Sequence, residues 1–183
     1  IVLSGCMASE LQQALAGGKI GDSAVEITDG NIQRAKEVAL FYRSIFGKDY
    51  YMEVQSHSDV RQQKLNRAIV DIAKDIGVPY VVTADSHFVD EEDFELHGIF
   101  IQIGTNREAG EVYMDTQLQS EMETRKLLGL CLSDEEVDEA IRNTSVIANL
   151  CNAHVPLSEP IIPEINLPNG FNTQSDYLKK LCN

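Results

Sequence analysis

The sequence predicts an α/β fold in which parallel strands are joined by crossover helices and the C-terminal part is helical. Short runs rich in β-branched and aromatic residues, at 1–4, 50–55 and 80–84, have the length and composition of strands. The two long segments between them, 29–46 and 59–76, carry apolar residues at helical spacing. This strand–helix–strand–helix–strand order is typical of a parallel sheet.

The first helices are predicted from their caps and apolar stripes. Residues 1–4 are predicted to form a buried strand, and Ser9 to cap a short helix over 10–16 that two glycines end. Asp29 is predicted to cap a longer helix that runs through residue 46. The buried stripe predicted for that helix is Ile32, Ala35, Val38, Ala39, Tyr42, Ile45 and Phe46.

The second long helix ends where glycine and proline predict it. Gly77 occupies the position after a helix that favours glycine, and Pro79 keeps the helix from resuming. The strand over 80–84 follows directly. The apolar face predicted for this helix is Leu65, Ala68, Ile69, Ile72 and Ile76.

The second half of the chain changes character. Residues 94–103 fit helix or strand, and the acidic residues before them favour a helix. Residues 118–130 are predicted to be helical, and Ser133 begins a capping box that opens a helix through 151. A proline-containing extended stretch and the start of another helix, at 175–181, complete the chain. The buried positions predicted for the capped helix are Val137, Ile141, Val146, Ile147 and Leu150.

Composition restricts the function classes. The 183 residues are 43% hydrophobic and 24% charged, which predicts one soluble globular domain with room for an appendage. No membrane-length apolar run or secretion signal is present, and the four cysteines lie far apart, so a cytoplasmic protein with free thiols and no membrane partner is expected. The net charge is −14, from 15 basic and 29 acidic residues. Tight binding to DNA would therefore require a metal ion or a basic partner domain.

Polar side chains follow the predicted strands. Cys6 follows the first, and Asp85 and His87 follow the third. The carboxyl ends of parallel strands meet at one edge, where functional groups collect, so these three side chains are expected near one another. A thiol, a carboxylate and an imidazole together suit zinc, manganese or iron. The alternative is that Asp85 begins a turn, His87 is a loop histidine and Cys6 simply packs.

Two further residues lie on or just after the second strand. Glu53 either orients a metal ligand without binding the metal itself or is a solvated strand residue. His57 either contacts a substrate phosphate or is a loop histidine. The sequence contains no glycine-rich phosphate loop, serine nucleophile elbow or His-Glu-x-x-His motif.

Three stretches carry a family resemblance: Leu3-Ser4-Gly5-Cys6-Met7-Ala8-Ser9-Glu10-Leu11, Tyr50-Tyr51-Met52-Glu53-Val54-Gln55-Ser56-His57 and Val78-Pro79-Tyr80-Val81-Val82-Thr83-Ala84-Asp85-Ser86-His87-Phe88. In order and spacing they resemble the polymerase-and-histidinol-phosphatase (PHP) domain of bacterial DNA polymerase III α subunits. Further similar stretches lie at 141–152 and 167–181, and they resemble the last helix of that domain and its exit into the polymerase body. Residues 108–136 depart from the family pattern.

The resemblance implies a distorted (β/α) barrel of PHP type that holds divalent metals at its C-terminal rim. Cys6, Asp85 and His87 match metal ligands of the family, and zinc or manganese, with magnesium as a further option, is the implied cofactor. Three strands cannot close a barrel. The chain is therefore expected to hold the C-terminal part of the domain at 1–157, with an incomplete site, and a linker and the start of the polymerase body at 158–183.

The implied function is that of a fragment of a replicative DNA-directed DNA polymerase, whose PHP domain is in some members a metal-dependent 3′→5′ proofreading exonuclease. The implied partners are the rest of the α chain and, through it, DNA and other replisome subunits. The fragment alone is expected to be inactive. Two alternatives are a non-catalytic scaffold domain of the polymerase and a free-standing PHP phosphoesterase, since a shared fold does not determine the reaction.

Overall fold

The computed structural model describes residues 1–20, 24–105, 115–157 and 165–182. The chain divides into a larger unit, Ile1–Cys151, and a smaller one, Asn152–Asn183. The strands of the larger unit are β1 (Val2–Leu3), β2 (Tyr50–Gln55) and β3 (Tyr80–Thr83). Its α-helices are α1 (Glu10–Ala16), α2 (Asp29–Phe46), α3 (Val60–Ile76), α4 (Phe94–Thr105), α5 (Glu121–Leu128) and α6 (Asp134–Leu150). Short 3-10 turns lie at Gly47–Asp49 and Glu91–Asp93.

The three strands form one parallel sheet in the order β1-β2-β3, which confirms the predicted alternation. Leu3 is in register with Tyr51, and Gln55 is in register with Thr83. With strands in sequential order and right-handed crossovers, α2 and α3 pack on the same face of the sheet, and they contact each other. Because all three strands are parallel, their carboxyl ends lie at the same edge of the sheet.

The two faces of the sheet differ in polarity. Met52 and Val54 belong to the hydrophobic core beneath the helices. Glu53 and Gln55 point to the opposite face because side chains alternate along a strand, and both are buried. The largest fully buried apolar side chains are Tyr50, Tyr80, Leu11, Leu15, Met52, Leu65, Ile69, Ile72, Leu128 and Val54.

Local caps define the helix ends. The Ser9 hydroxyl accepts a hydrogen bond from the amide of Gln12 and begins α1. Asp59 caps α3, and Gly77, with φ of +65°, ends it in the left-handed conformation that glycine adopts without strain. Ser133 opens α6 with the predicted capping box. The cap of α2 is Thr28 rather than the predicted Asp29.

Several burial predictions are wrong. Val146 and Leu150 of α6 are 40% and 54% exposed. The reason is length: α6 spans 17 residues, about 25 Å, whereas the β3 strand beneath it spans four, about 13 Å. Ile45 and Phe46, at the end of α2, are likewise exposed. The first strand forms but is not buried, because β1 is an edge strand whose Leu3 is partly exposed.

The smaller unit contains α7 (Gln174–Cys182), where a helix was predicted at 175–181. The Thr173 hydroxyl accepts a hydrogen bond from the amide of Asp176, and the rings of Phe171 and Tyr177 lie 5.1 Å apart. The predicted linker boundary at 158, with Pro160 and Pro163 after it, lies outside the described residues. None of the described helices is long and apolar enough to cross a membrane.

Candidate metal centre

A pocket of about 450 Å³ opens at the carboxyl edge of the sheet. Cys6 reaches it from the turn after β1, and Asp85 and His87 reach it from the loop after β3. The structure thus places the three sequence-predicted metal ligands around one cavity. The full lining is Cys6, Met7, Ala8, Gln55, His57, Ser58, Asp59, Arg61, Asp85 and His87.

The turn that presents Cys6 is held by Gly5. The Gly5 backbone has a φ of +81°, and a Cβ at that position would lie 3.2 Å from the Cβ of Ser9, so a side chain would be both strained and crowded. The Gly5 amide donates to Glu53 Oε2 at 3.0 Å, and its carbonyl accepts from Gln12 Nε2 at 3.0 Å. These contacts fix the backbone immediately before Cys6.

Asp85 and His87 lie in a loop beyond the end of β3 rather than on the extended strand. β3 ends at Thr83, and Asp85 has a φ of +50°, so the two side chains do not share one face as residues two apart on a strand would. The His87 Nδ1 atom instead lies 2.6 Å from the Asp85 carbonyl oxygen. A carbonyl only accepts, so Nδ1 is the donor in this contact, and Nε2 is the ring nitrogen that a metal would bind.

His57 lies deeper in the pocket than a loop histidine. It is 7% exposed, and its Nε2 lies 3.8 Å from Asp85 Oδ2. The ring of His97, on α4, lies 5.6 Å from that of His87. His57 therefore brings a second imidazole to the carboxylate of Asp85.

Glu53 connects the ends of all three strands. Its carboxylate accepts hydrogen bonds from Gly5 after β1, from the Thr83 hydroxyl at 2.6 Å and from Gln55 Nε2 at 3.4 Å. The residue is 7% exposed, so of the two alternatives for Glu53 the solvated strand residue is excluded. It does not line the pocket; it holds the backbone from which Cys6 and the Asp85 loop project.

A chain of buried amides continues from Glu53, and the sequence reasoning missed it. Gln62 Nε2 donates to Gln12 Oε1 at 3.3 Å and to Asn66 Oδ1 at 2.8 Å, and Asn66 bonds the backbone of Gln55 through both its amide atoms. The signal was available: Gln62 and Asn66 are polar residues at i and i+4 on the apolar face of α3. This network anchors helices α1 and α3 to the strand ends beneath the pocket.

Comparison with known proteins gives one consistent result. The chain is 30% identical over 85% of its length to the DNA polymerase III subunit alpha of Borreliella burgdorferi, and 28% identical over 99% to that of Treponema pallidum. It is 29% identical over 91% of its length to the Escherichia coli subunit. Its homologues are DNA polymerase III alpha subunits. The chain spans about 14% of the length of these relatives, and no family model matches it.

The match to the Treponema pallidum alpha subunit covers 99% of the chain and so takes in the pocket at the strand ends. Within the described ranges, no three His, Cys, Asp or Glu side chains converge closely enough to hold a metal ion. The donor types around the pocket fit a divalent transition metal, but their present arrangement does not supply a full ligand set.

A second cavity is larger, about 910 Å³, and lies between α2 and α3. Two ion pairs line it: Lys36 contacts Asp75 at 2.7 Å, and Arg67 contacts Asp71 at 2.6 Å. Its other lining is largely aliphatic. The strand-end pocket is therefore the better candidate for chemistry, because parallel α/β folds collect functional groups there.

Proposed function

We propose that the chain is a segment of a replicative DNA polymerase III alpha subunit and carries part of a PHP-type metal site. Similarity to alpha subunits over nearly the whole chain supports the assignment to that polymerase subunit. The observation that supports the metal site is that Cys6, Asp85 and His87 all line one pocket. His57 is the further donor that we add to this set.

The pocket residues would act on a metal in distinct ways. Cys6 would supply a thiolate, Asp85 a carboxylate and His87 its Nε2, while Glu53 would hold the turns that present them. A bound divalent ion would supply a nucleophilic water and polarise a phosphodiester. We propose that the remaining donors lie in parts of the alpha subunit outside this chain, and that the complete site removes nucleotides from DNA 3′ ends.

The sheet supports a partial (β/α) barrel. Strand order without a reversal places both crossover helices on one face, which is how a barrel is wound. The opposite face carries Glu53, Gln55 and Thr83, the polar composition expected of a barrel interior near its functional rim. The acidic balance of the chain fits a domain whose DNA contacts depend on metal ions and on basic surface elsewhere in the polymerase.

Cobalt(II) titration tests the metal site directly. A thiolate bound to Co²⁺ gives a charge-transfer band in the near ultraviolet, so the band reports Cys6 itself. The exposed Cys151 and Cys182 should first be changed to serine to remove adventitious binding. In that background we expect the band to form and Cys6→Ser to abolish it.

The matched control is Cys131→Ser, because Cys131 is also partly buried but lies outside the pocket. We expect this variant to retain the band. Asp85→Asn should weaken Co²⁺ binding by about 10–100-fold, whereas Asp138→Asn, at an exposed carboxylate paired with Arg125, should not. Failure of the chain to bind Co²⁺, or a band that survives Cys6→Ser, would refute the metal site.

A scaffold function is the second candidate, and the incomplete donor set favours it. In that case the network around Glu53 would serve stability alone. The full-length polymerase distinguishes the two functions: Asp85→Asn should abolish metal-dependent release of nucleotides from DNA 3′ ends if the site is catalytic, and should leave polymerisation and stability unchanged if the domain is a scaffold. Hydrolysis of a small phosphomonoester by the same protein would instead indicate a phosphoesterase.

A further inference from the structure

The segment 115–120, which we call the strap, lies against the loop that carries Asp85 and His87. The Thr116 carbonyl accepts a hydrogen bond from the His87 amide at 2.7 Å. The Gln117 carbonyl accepts from the Ser86 hydroxyl at 3.2 Å. These are backbone acceptors, so they hold the loop whatever side chains the strap carries.

The side chains of the strap hold the other loop of the pocket. Asp115 Oδ2 accepts from the Ser58 amide at 2.9 Å and also from the Ser58 hydroxyl. Gln119 Nε2 donates to the Ser56 carbonyl at 2.9 Å, and its Oε1 accepts from the Ser56 hydroxyl at 2.5 Å. Ser56 and Ser58 are the two neighbours of His57, so the strap grips the backbone on both sides of that histidine.

The backbone and the side chain of Asp115 make separate demands on this position. Its φ of +62° lies in the left-handed region, which glycine adopts without strain and which aspartate and asparagine adopt more readily than other side chains. A glycine would also fit this backbone but could not bond Ser58. Aspartate therefore suits the turn and also supplies the contact to the His57 loop.

We propose that Asp115 and Gln119 are positioning residues that hold His57 beside Asp85 in the candidate metal site. His57 Nε2 lies 3.8 Å from Asp85 Oδ2, and the histidine is buried, so a small movement of its loop would separate the two side chains. The role in metal binding rests on the proposed function. The mechanical claim, that the strap fixes His57, can be tested without a metal.

The test compares Asp115→Gly with Asp115→Asn. The glycine suits the left-handed backbone and removes the carboxylate, whereas asparagine tolerates the same backbone and retains an oxygen for Ser58. Gln117→Ala is the matched control, because Gln117 contacts Ser86 through its backbone carbonyl. Gln119→Ala is a second variant that loosens the same loop from its other side.

Two measurements report the position of His57. Carbethoxylation of His57, followed by mass spectrometry relative to the exposed His154 as internal reference, should accelerate at least about tenfold in Asp115→Gly, since charge-assisted hydrogen bonds are lost. Exchange of the Ser58 amide hydrogen should accelerate by a similar factor. Asp115→Asn should restore most of the protection, and Gln117→Ala should match the wild type.

Co²⁺ affinity tests the role of the strap in metal binding. It should fall about 10–100-fold in Asp115→Gly and in Gln119→Ala, while urea unfolding shows that both variants remain folded. Unchanged carbethoxylation and amide exchange in these variants would overturn the proposal. If the wild type binds no Co²⁺ but His57 is released in Asp115→Gly, the proposed metal function fails and the positioning of His57 by the strap stands.

Discussion

Replacing Glu53 by glutamine should destabilise the larger unit by about 2–3 kcal/mol. The two Glu53 oxygens accept three hydrogen bonds, the shortest from the Thr83 hydroxyl at 2.6 Å and from the Gly5 amide at 3.0 Å. Glutamine has one acceptor oxygen. Its amide group would face either the Gly5 amide or the side-chain amide of Gln55, so one buried donor loses its acceptor in each orientation.

The magnitude follows from those contacts. An unsatisfied buried donor costs about 1–3 kcal/mol, and the surviving hydrogen bond weakens when its acceptor loses its charge. Urea unfolding followed by circular dichroism measures the total loss in the free energy of unfolding. Hydrogen exchange at the Gly5 amide shows where the loss arises, because the Gly5 amide loses protection if the glutamine turns its own amide group toward Gly5.

The matched control is Glu37→Gln, at an exposed carboxylate on α2 that accepts one long hydrogen bond from Gln33. The free energy of unfolding of this variant should lie within about 0.5 kcal/mol of the wild-type value. A Glu53→Gln variant as stable as the wild type would show that the Glu53 hydrogen bonds do not stabilise the strand ends. So would an equal loss in the control, because the effect would then reflect net charge rather than the contacts at the strand ends.

The remaining predictions concern the ion pairs and the buried phenols. Glu136→Gln should cost about 1.5–3 kcal/mol, because Glu136 bonds Arg67 at 2.6 Å and Lys74 at 2.6 Å and so joins α6 to α3. The hydrogen bonds from Arg67 hold the pKa of Glu136 well below its ordinary value of 4.5. The stabilisation by Glu136 is therefore complete above about pH 4.5 and declines as the pH falls. Urea unfolding should show a smaller difference in the free energy of unfolding between wild type and Glu136→Gln at about pH 3 than at about pH 7. Equal differences at the two pH values would contradict the ion-pair assignment. Burial raises the pKa of Tyr50 to about 12, and its hydroxyl has no hydrogen-bond partner among the described residues. Tyr50→Phe should therefore be neutral or stabilising by up to about 1 kcal/mol, whereas Tyr80→Phe, which loses a bond to a carboxylate, should destabilise; the reverse order would show that the Tyr50 hydroxyl has a partner.

Helix ends were predictable because caps are local. Ser9, Asp59 and Ser133 each bond an amide within three residues, and Gly77 ends α3 by its own backbone conformation. Such signals need no knowledge of the tertiary structure. The parallel sheet followed for a related reason: strand and helix periodicities differ, and their alternation leaves few topologies.

Burial at the helix ends was not predictable in this way. Phe46 and Leu150 continue apolar stripes that the sequence displays correctly, but those stripes run past the strands that they would cover. A stripe indicates which face of a helix turns inward. It does not indicate how far along the helix a neighbour is present.

Local patterns of residues were enough to predict the order of strands and helices, most helix boundaries, and the position of Cys6, Asp85 and His87 after strands whose ends lie together. The contacts by which Glu53 links those strand ends, and by which the strap reaches the His57 loop, became visible only in the folded chain. These contacts join side chains to backbone amides about 50 residues away in the chain, as Glu53 joins Gly5 and Asp115 joins Ser58. Their partners are set by packing, which no local pattern of residues encodes.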